Sequence, residues 1–116
     1  MKTLKVVLLF IAVYGLVLSF AHAAGDVSKG DVNKGKALFN DPKFAGAVSG
    51  KSCNSCHPDG RGLGNAGTKT EFKVMGKNQK SLEDVVNSCI EAANKGKALD
   101  LSSEQMKDIV AYIKSL

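Results

Sequence analysis

The sequence predicts a small all-α domain, and three observations carry that expectation. Three segments place apolar residues at helical spacing behind a capping residue. No stretch sustains the alternation of a half-buried strand, and the intervening segments are long and rich in glycine. At 116 residues the chain builds at most one domain. Its 44% apolar and 23% charged residues exclude a disordered tail and a multi-span membrane protein. No period of 20–50 residues repeats, which excludes a solenoid.

The first element is an address. Lys2 and Lys5 precede the uncharged run Val6 to Phe20, and Ala21-His22-Ala23 places small residues at the −3 and −1 positions of a cleavage site. A basic start, a run too short to span comfortably and an A-x-A exit predict a secretory signal peptide, residues 1–23, and a periplasmic or otherwise exported product. An uncleaved membrane anchor is the alternative reading; once the signal is cleaved, no stable membrane insertion is expected. Cleavage leaves residues 24–116 with a formal charge of +3 instead of +5, because Lys2 and Lys5 are removed, and with His57 as the single histidine. A domain this short commonly leans on a disulfide, a metal or a cofactor.

Residues 24–30 form a loose leader. Asp31 caps a first helix with Val32, Gly35, Leu38 and Phe39 on one face, and Asn40-Asp41-Pro42 stops it. A Gly/Ala/Ser loop follows over residues 43–52. Residues 58–81, again glycine-rich, read as irregular. Ser81 caps a second helix whose stripe is Leu82, Val85, Val86, Cys89 and Ile90, ended by Asn94-Lys95-Gly96. Ser102 or Ser103 caps the last helix, with Met106, Ile109, Val110, Ile113 and Leu116 on its apolar face. Loops of this length argue against a packed domain unless something fills the space between them.

Cys53-Asn54-Ser55-Cys56-His57 supplies that filler. C-x-x-C-H reads as a c-type haem attachment. Two thiols three positions apart reach the two vinyl groups on one porphyrin edge, and the next residue falls beneath the ring, where its imidazole binds iron. A thioredoxin-like redox pair also uses C-x-x-C, but beside a βαβ pattern that is absent here. Structural zinc would need Cys53, Cys56, Cys89 and His57 together, with His57 abutting Cys56 in an awkward chelate. A plain Cys53–Cys56 disulfide is a further alternative. One covalent haem c, through Cys53 and Cys56 with His57 as proximal iron ligand, explains both the histidine and the sparse core, and His57 is expected to donate its second ring N–H to a carbonyl.

With these residues in view the chain resembles a small monohaem class I cytochrome c over nearly all of residues 24–116. Asn33-Lys34-Gly35-Lys36-Ala37-Leu38-Phe39 is similar to that family's first helix, Cys53, Cys56 and His57 to its haem site, and Leu101 to Leu116 to its last helix. The resemblance implies that these helices cross, with Gly35 allowing close approach and Phe39 packing near Tyr112. The stretch from Asn87 to Leu99 is also similar to cytochromes of bacterial sulfur-oxidising systems.

The distal side departs from the family. Its members commonly take a Met from the loop before the last helix, and here Asn94 to Leu101 contains none. Met75, outside any helical stripe, is the first distal candidate. Cys89 is an alternative, because some sulfur-oxidising relatives use a cysteine there; Asn94, falling roughly where the family's Met would, is another. Lys95, Lys97 and an open site complete the set, while Met106 reads as core packing.

Gly62-Leu-Gly64-Asn-Ala-Gly67 fits the dinucleotide fingerprint but lacks the flanking strand and helix. The lysines are scattered without aromatic interleaving, which argues against nucleic-acid binding; a weak basic ring steering acidic redox partners is the sharper alternative to a merely solvated surface. The expected function is an exported electron carrier, not an enzyme, moving single electrons between redox partner proteins such as a reductase, oxidase or dehydrogenase. The alternatives are a weakly ligated or open haem acting on small molecules or sulfur compounds, and a haem subunit of a dehydrogenase complex.

Overall fold

The computed structural model describes residues 29–116. The predicted signal peptide lies outside the described residues. Helix α1 spans Val32–Asn40, α2 Cys53–Cys56, α3 Leu82–Ala92 and α4 Glu104–Lys114. Strands β1 (Phe72–Val74) and β2 (Lys77–Gln79) pair antiparallel, with Phe72 opposite Gln79 and Val74 opposite Lys77. The three longer helices are those the periodicity predicts.

Their ends follow the expected chemistry. The Asp31 carboxylate accepts the N–H groups of Asn33 and Lys34 at the start of α1. Ser81 accepts from the Asp84 N–H at α3, and Ser103, not Ser102, caps α4 by accepting from Met106. Ser102 instead donates to the Asp100 carboxylate in the turn before it.

Helices α1 and α4 cross, and Gly35 makes the crossing possible. A Cβ there would collide with the Asp108 carbonyl and lie 2.8 Å from the Tyr112 Cβ. Phe39 meets Tyr112 edge to face, ring centroids 5.1 Å apart. Asp108 is buried, and its Oδ1 accepts the Asp31 backbone N–H at 2.6 Å, tying the start of α1 to the middle of α4. Phe39, Ile90, Met106 and Ile109 are fully enclosed beside this crossing. Met106 is therefore a core residue, as its place in the helical stripe predicts.

Two local expectations change. Residues 58–81 are not irregular throughout: they contain two short 3₁₀ turns and the hairpin. Strands of three residues are too short to show a period, and Met75-Gly76 lacks the Asn-Gly or Asp-Gly signal of a tight hairpin. Leu116, placed on the apolar face of α4, lies beyond its end and is only half-buried.

Candidate haem site

The motif begins in a short helical turn. The Ser52 backbone N–H donates to the Ser55 hydroxyl at 3.0 Å, starting α2, and the His57 N–H closes the turn on the Cys53 carbonyl at 3.0 Å. Cys53 and Cys56, three positions apart, are thereby held on one side of a single turn. The chain then reverses through Pro58-Asp59-Gly60. Asp59 takes a left-handed φ of 51° and its N–H donates to the Asn54 side chain at 2.8 Å. This reversal carries the Arg61 carbonyl back to the histidine ring.

His57 Nδ1 lies 3.0 Å from the Arg61 carbonyl oxygen. A carbonyl only accepts, so Nδ1 carries a proton, which in the neutral ring leaves the lone pair on Nε2. That is the tautomer a metal-binding imidazole requires, fixed by a partner as expected.

Cys53, Cys56 and His57 border a cavity of about 470 Å³. Its apolar walls come from four elements: Phe39 of α1, Leu82 and Val86 of α3, Ile109 and Ile113 of α4, and Leu63 of the loop after the motif. The three distal candidates lie on the same cavity by different routes. Met75 stands at the hairpin tip and is 68% exposed. Cys89 turns inward from α3 and is half-buried. Asn94, just past α3, is buried, and its backbone carbonyl accepts from both Val48 and Ser49, holding the 43–52 loop against the helix.

Burial pushes the Cys53 thiol up, opposed in part by a hydrogen bond from Asn94. Burial also pushes up the Cys89 thiol, with neighbouring Cys56 adding to it. Both are neutral thiols at neutral pH in the bare polypeptide. Two thiols, one imidazole with a free Nε2 and an apolar chamber of this size are the donors and the volume that a covalently bound porphyrin needs. The residues present fit the group.

The SoxA/TsdA cytochrome c domain matches residues 34–116 of the sequence. The chain belongs to the SoxA/TsdA cytochrome c domain family. It is a c-type haem protein, its haem attached covalently, and its kinship is with cytochromes of sulfur-oxidising systems, as the stretch from Asn87 to Leu99 suggested. A chain in the crystal structure of SoxXA from P. pantotrophus is similar at 29% identity and a TM-score of 0.53, covering 71% of this chain. This chain in turn spans 30% of that one. No curated protein matches it. Among the described residues no helix is long and apolar enough to cross a membrane.

One positioning residue is not evident from the sequence. Asn87 clamps the loop before α4 with two hydrogen bonds of 2.8 Å, its Nδ2 donating to the Leu99 carbonyl and its Oδ1 accepting from the Leu99 N–H. The clamp holds in place the very loop that supplies the ligand in ordinary class I relatives. Its only sequence signal is a polar residue flanking the apolar stripe of α3, which any solvated helix face provides.

Proposed function

We propose that the mature chain, residues 24–116, is an exported, periplasmic electron carrier that takes up and releases single electrons between redox partner proteins. The observation that carries this reading is the joint placement of Cys53, Cys56 and the Nδ1-pinned His57 on one apolar cavity. Cys53 and Cys56 would hold the haem, and His57 Nε2 would bind its iron. When bound, the haem supplies a one-electron couple whose potential is set by its axial ligands, hydrogen bonding and burial.

Cys89 is the best placed of the distal candidates. It sits on α3, faces the cavity and is half-buried, whereas Met75 stands on the exposed rim and the Asn94 side chain is hydrogen-bonded to Cys53. Its thiol, raised by burial, would have to lose a proton before it could ligate, a loss that a bound iron's positive charge would favour.

The family supports a second reading, a sulfur-compound enzyme or a haem subunit of a larger complex. A cysteine sulfur inside the cavity is the observation that favours it. Visible spectra with and without carbon monoxide separate the two. A low-spin reduced spectrum unchanged by carbon monoxide supports the closed carrier; a shifted Soret band overturns it in favour of an exchangeable site. Cys89→Ala tests the ligand: the carrier reading expects a changed low-spin spectrum, and an unchanged one removes Cys89 from the iron.

A further inference from the structure

Met75 has an unusual backbone for its side chain. Met75 and Gly76 are the two corner residues of the β1–β2 hairpin, at φ 51° and 78°. Two successive left-handed residues make a type I′ turn, which favours Asn-Gly or Asp-Gly because a short polar side chain tolerates that backbone. A methionine has no such compensation.

Among the described residues, the other non-glycine positions with left-handed backbone have visible local reasons. The Asp59 N–H is satisfied by Asn54, the Ala45 carbonyl accepts from Lys97, and Lys95 leads into the Gly96 N–H that closes on Ile90. The backbone of Met75 is likewise set by the hairpin pairing of Val74 with Lys77, but its side chain is out of place there: it is 68% exposed, a large apolar group on a solvent-facing turn. Yet it lines the haem cavity together with its neighbours Lys73 and Val74. Backbone strain that persists at the rim of a site points to a use for the side chain it presents.

We infer that Met75 is a cap over the mouth of the haem cavity, held on a strained turn so that its apolar side chain stands between the bound haem and water. The inference rests on the haem reading above. An unbranched thioether with three rotatable bonds adapts to an irregular mouth and packs favourably on an aromatic edge. The two strands are only three residues each, so the tip is carried by a slight support and the side chain makes the cover. With the proposed Cys89 thiolate on the iron, the ferric centre would be neutral and the ferrous centre would carry one negative charge, so excluding water would favour the oxidised form and lower the potential.

The test compares the haem-loaded protein with its Met75→Asn and Met75→Leu variants, reading the thermal unfolding midpoint, the reduction potential and the visible spectrum. Asn suits the left-handed corner but is polar and short. The expected result is a midpoint raised by a few degrees together with a raised potential. Leu keeps an apolar cover on the same backbone, and both quantities stay close to the parent. A Met75→Asn protein with a raised midpoint and an unaltered potential overturns the cap. A lowered midpoint overturns the strain on which it stands. A Leu variant that shifts the potential as far as Asn overturns the apolar cover. Loss of a thioether–iron charge-transfer band in either variant makes Met75 an axial ligand, which overturns the cap and the Cys89 assignment together. A parent protein that carries no haem overturns the haem reading itself, before any variant is compared.

Discussion

At the α1–α4 crossing, Gly35 is pressed against the Asp108 carbonyl, and Phe39 and Tyr112 meet edge to face. At the hairpin tip, Gly76 has no atom within 4 Å of where its Cβ would be, and Met75 beside it is mostly in solvent. Both regions contain a glycine, for opposite reasons. Gly35 is required for volume, since any side chain would force the helices apart. Gly76 is required for its left-handed φ of 78°, with space to spare. The polypeptide thus packs itself tightly where its first and last helices meet. Around the cavity it relies on short turns and isolated hydrogen bonds, and the haem supplies the missing interior.

Four substitutions sharpen that contrast. Gly35→Ala has the largest expected effect, because the clash is with backbone and cannot be relieved by a rotamer. A loss of about 3–5 kcal/mol is expected from urea unfolding, and a loss below about 1 kcal/mol would mean that the crossing is loosely packed. Asp108→Ala follows. It strands the Asp31 N–H at the start of α1, and about 1–3 kcal/mol is expected to be lost. Gly76→Ala comes next, at about 1–2 kcal/mol, through backbone strain alone; an effect as large as that of Gly35→Ala would show that the hairpin is more tightly held than its open surroundings indicate.

The smallest effect belongs to the Lys34–Glu104 ion pair, which spans the same crossing at 2.8 Å with both side chains about 60% exposed. Hydrogen bonding and charge attraction from Lys34 hold the Glu104 carboxyl below the ordinary carboxylate range. A lowered folded-state value contributes stability that is present above the unfolded value and is lost as pH falls through the folded one. Lys34→Gln is therefore expected to leave the unfolding midpoint at pH 7 within experimental error and to flatten slightly its decline below about pH 4. A clear drop at pH 7 would show that charge, not packing, secures the crossing.

The two regions also differ in how far they could be read in advance. The crossing was legible because Phe39, Met106, Ile109, Val110 and Ile113 recur at helical spacing behind Asp31 and Ser103, and periodicity over several turns is a strong signal. The candidate haem residues stood out because three residue types stand at fixed spacing. The hairpin was not, because three-residue strands carry no period and Met75 occupies a corner where the usual Asn is absent. The distal side was obscure for another reason. Cys89 lies on an apolar stripe that serves core and cavity at once: Leu82, Val86 and Ile90 are buried while Val85 and Cys89 are only half-buried. A linear pattern does not separate the two surfaces, since both demand apolar neighbours. Asn87 shows the same limit, because its pairing with Leu99 twelve positions away depends on how the chain returns.

The most direct test of the account is the intact mass of the mature protein, produced in a host able to attach haem and measured after denaturation. The account predicts the mass of the polypeptide plus one haem, retained under denaturing conditions and lost from the Cys53→Ala, Cys56→Ala double variant. The unadorned polypeptide mass, or a haem that washes away on unfolding, would contradict it.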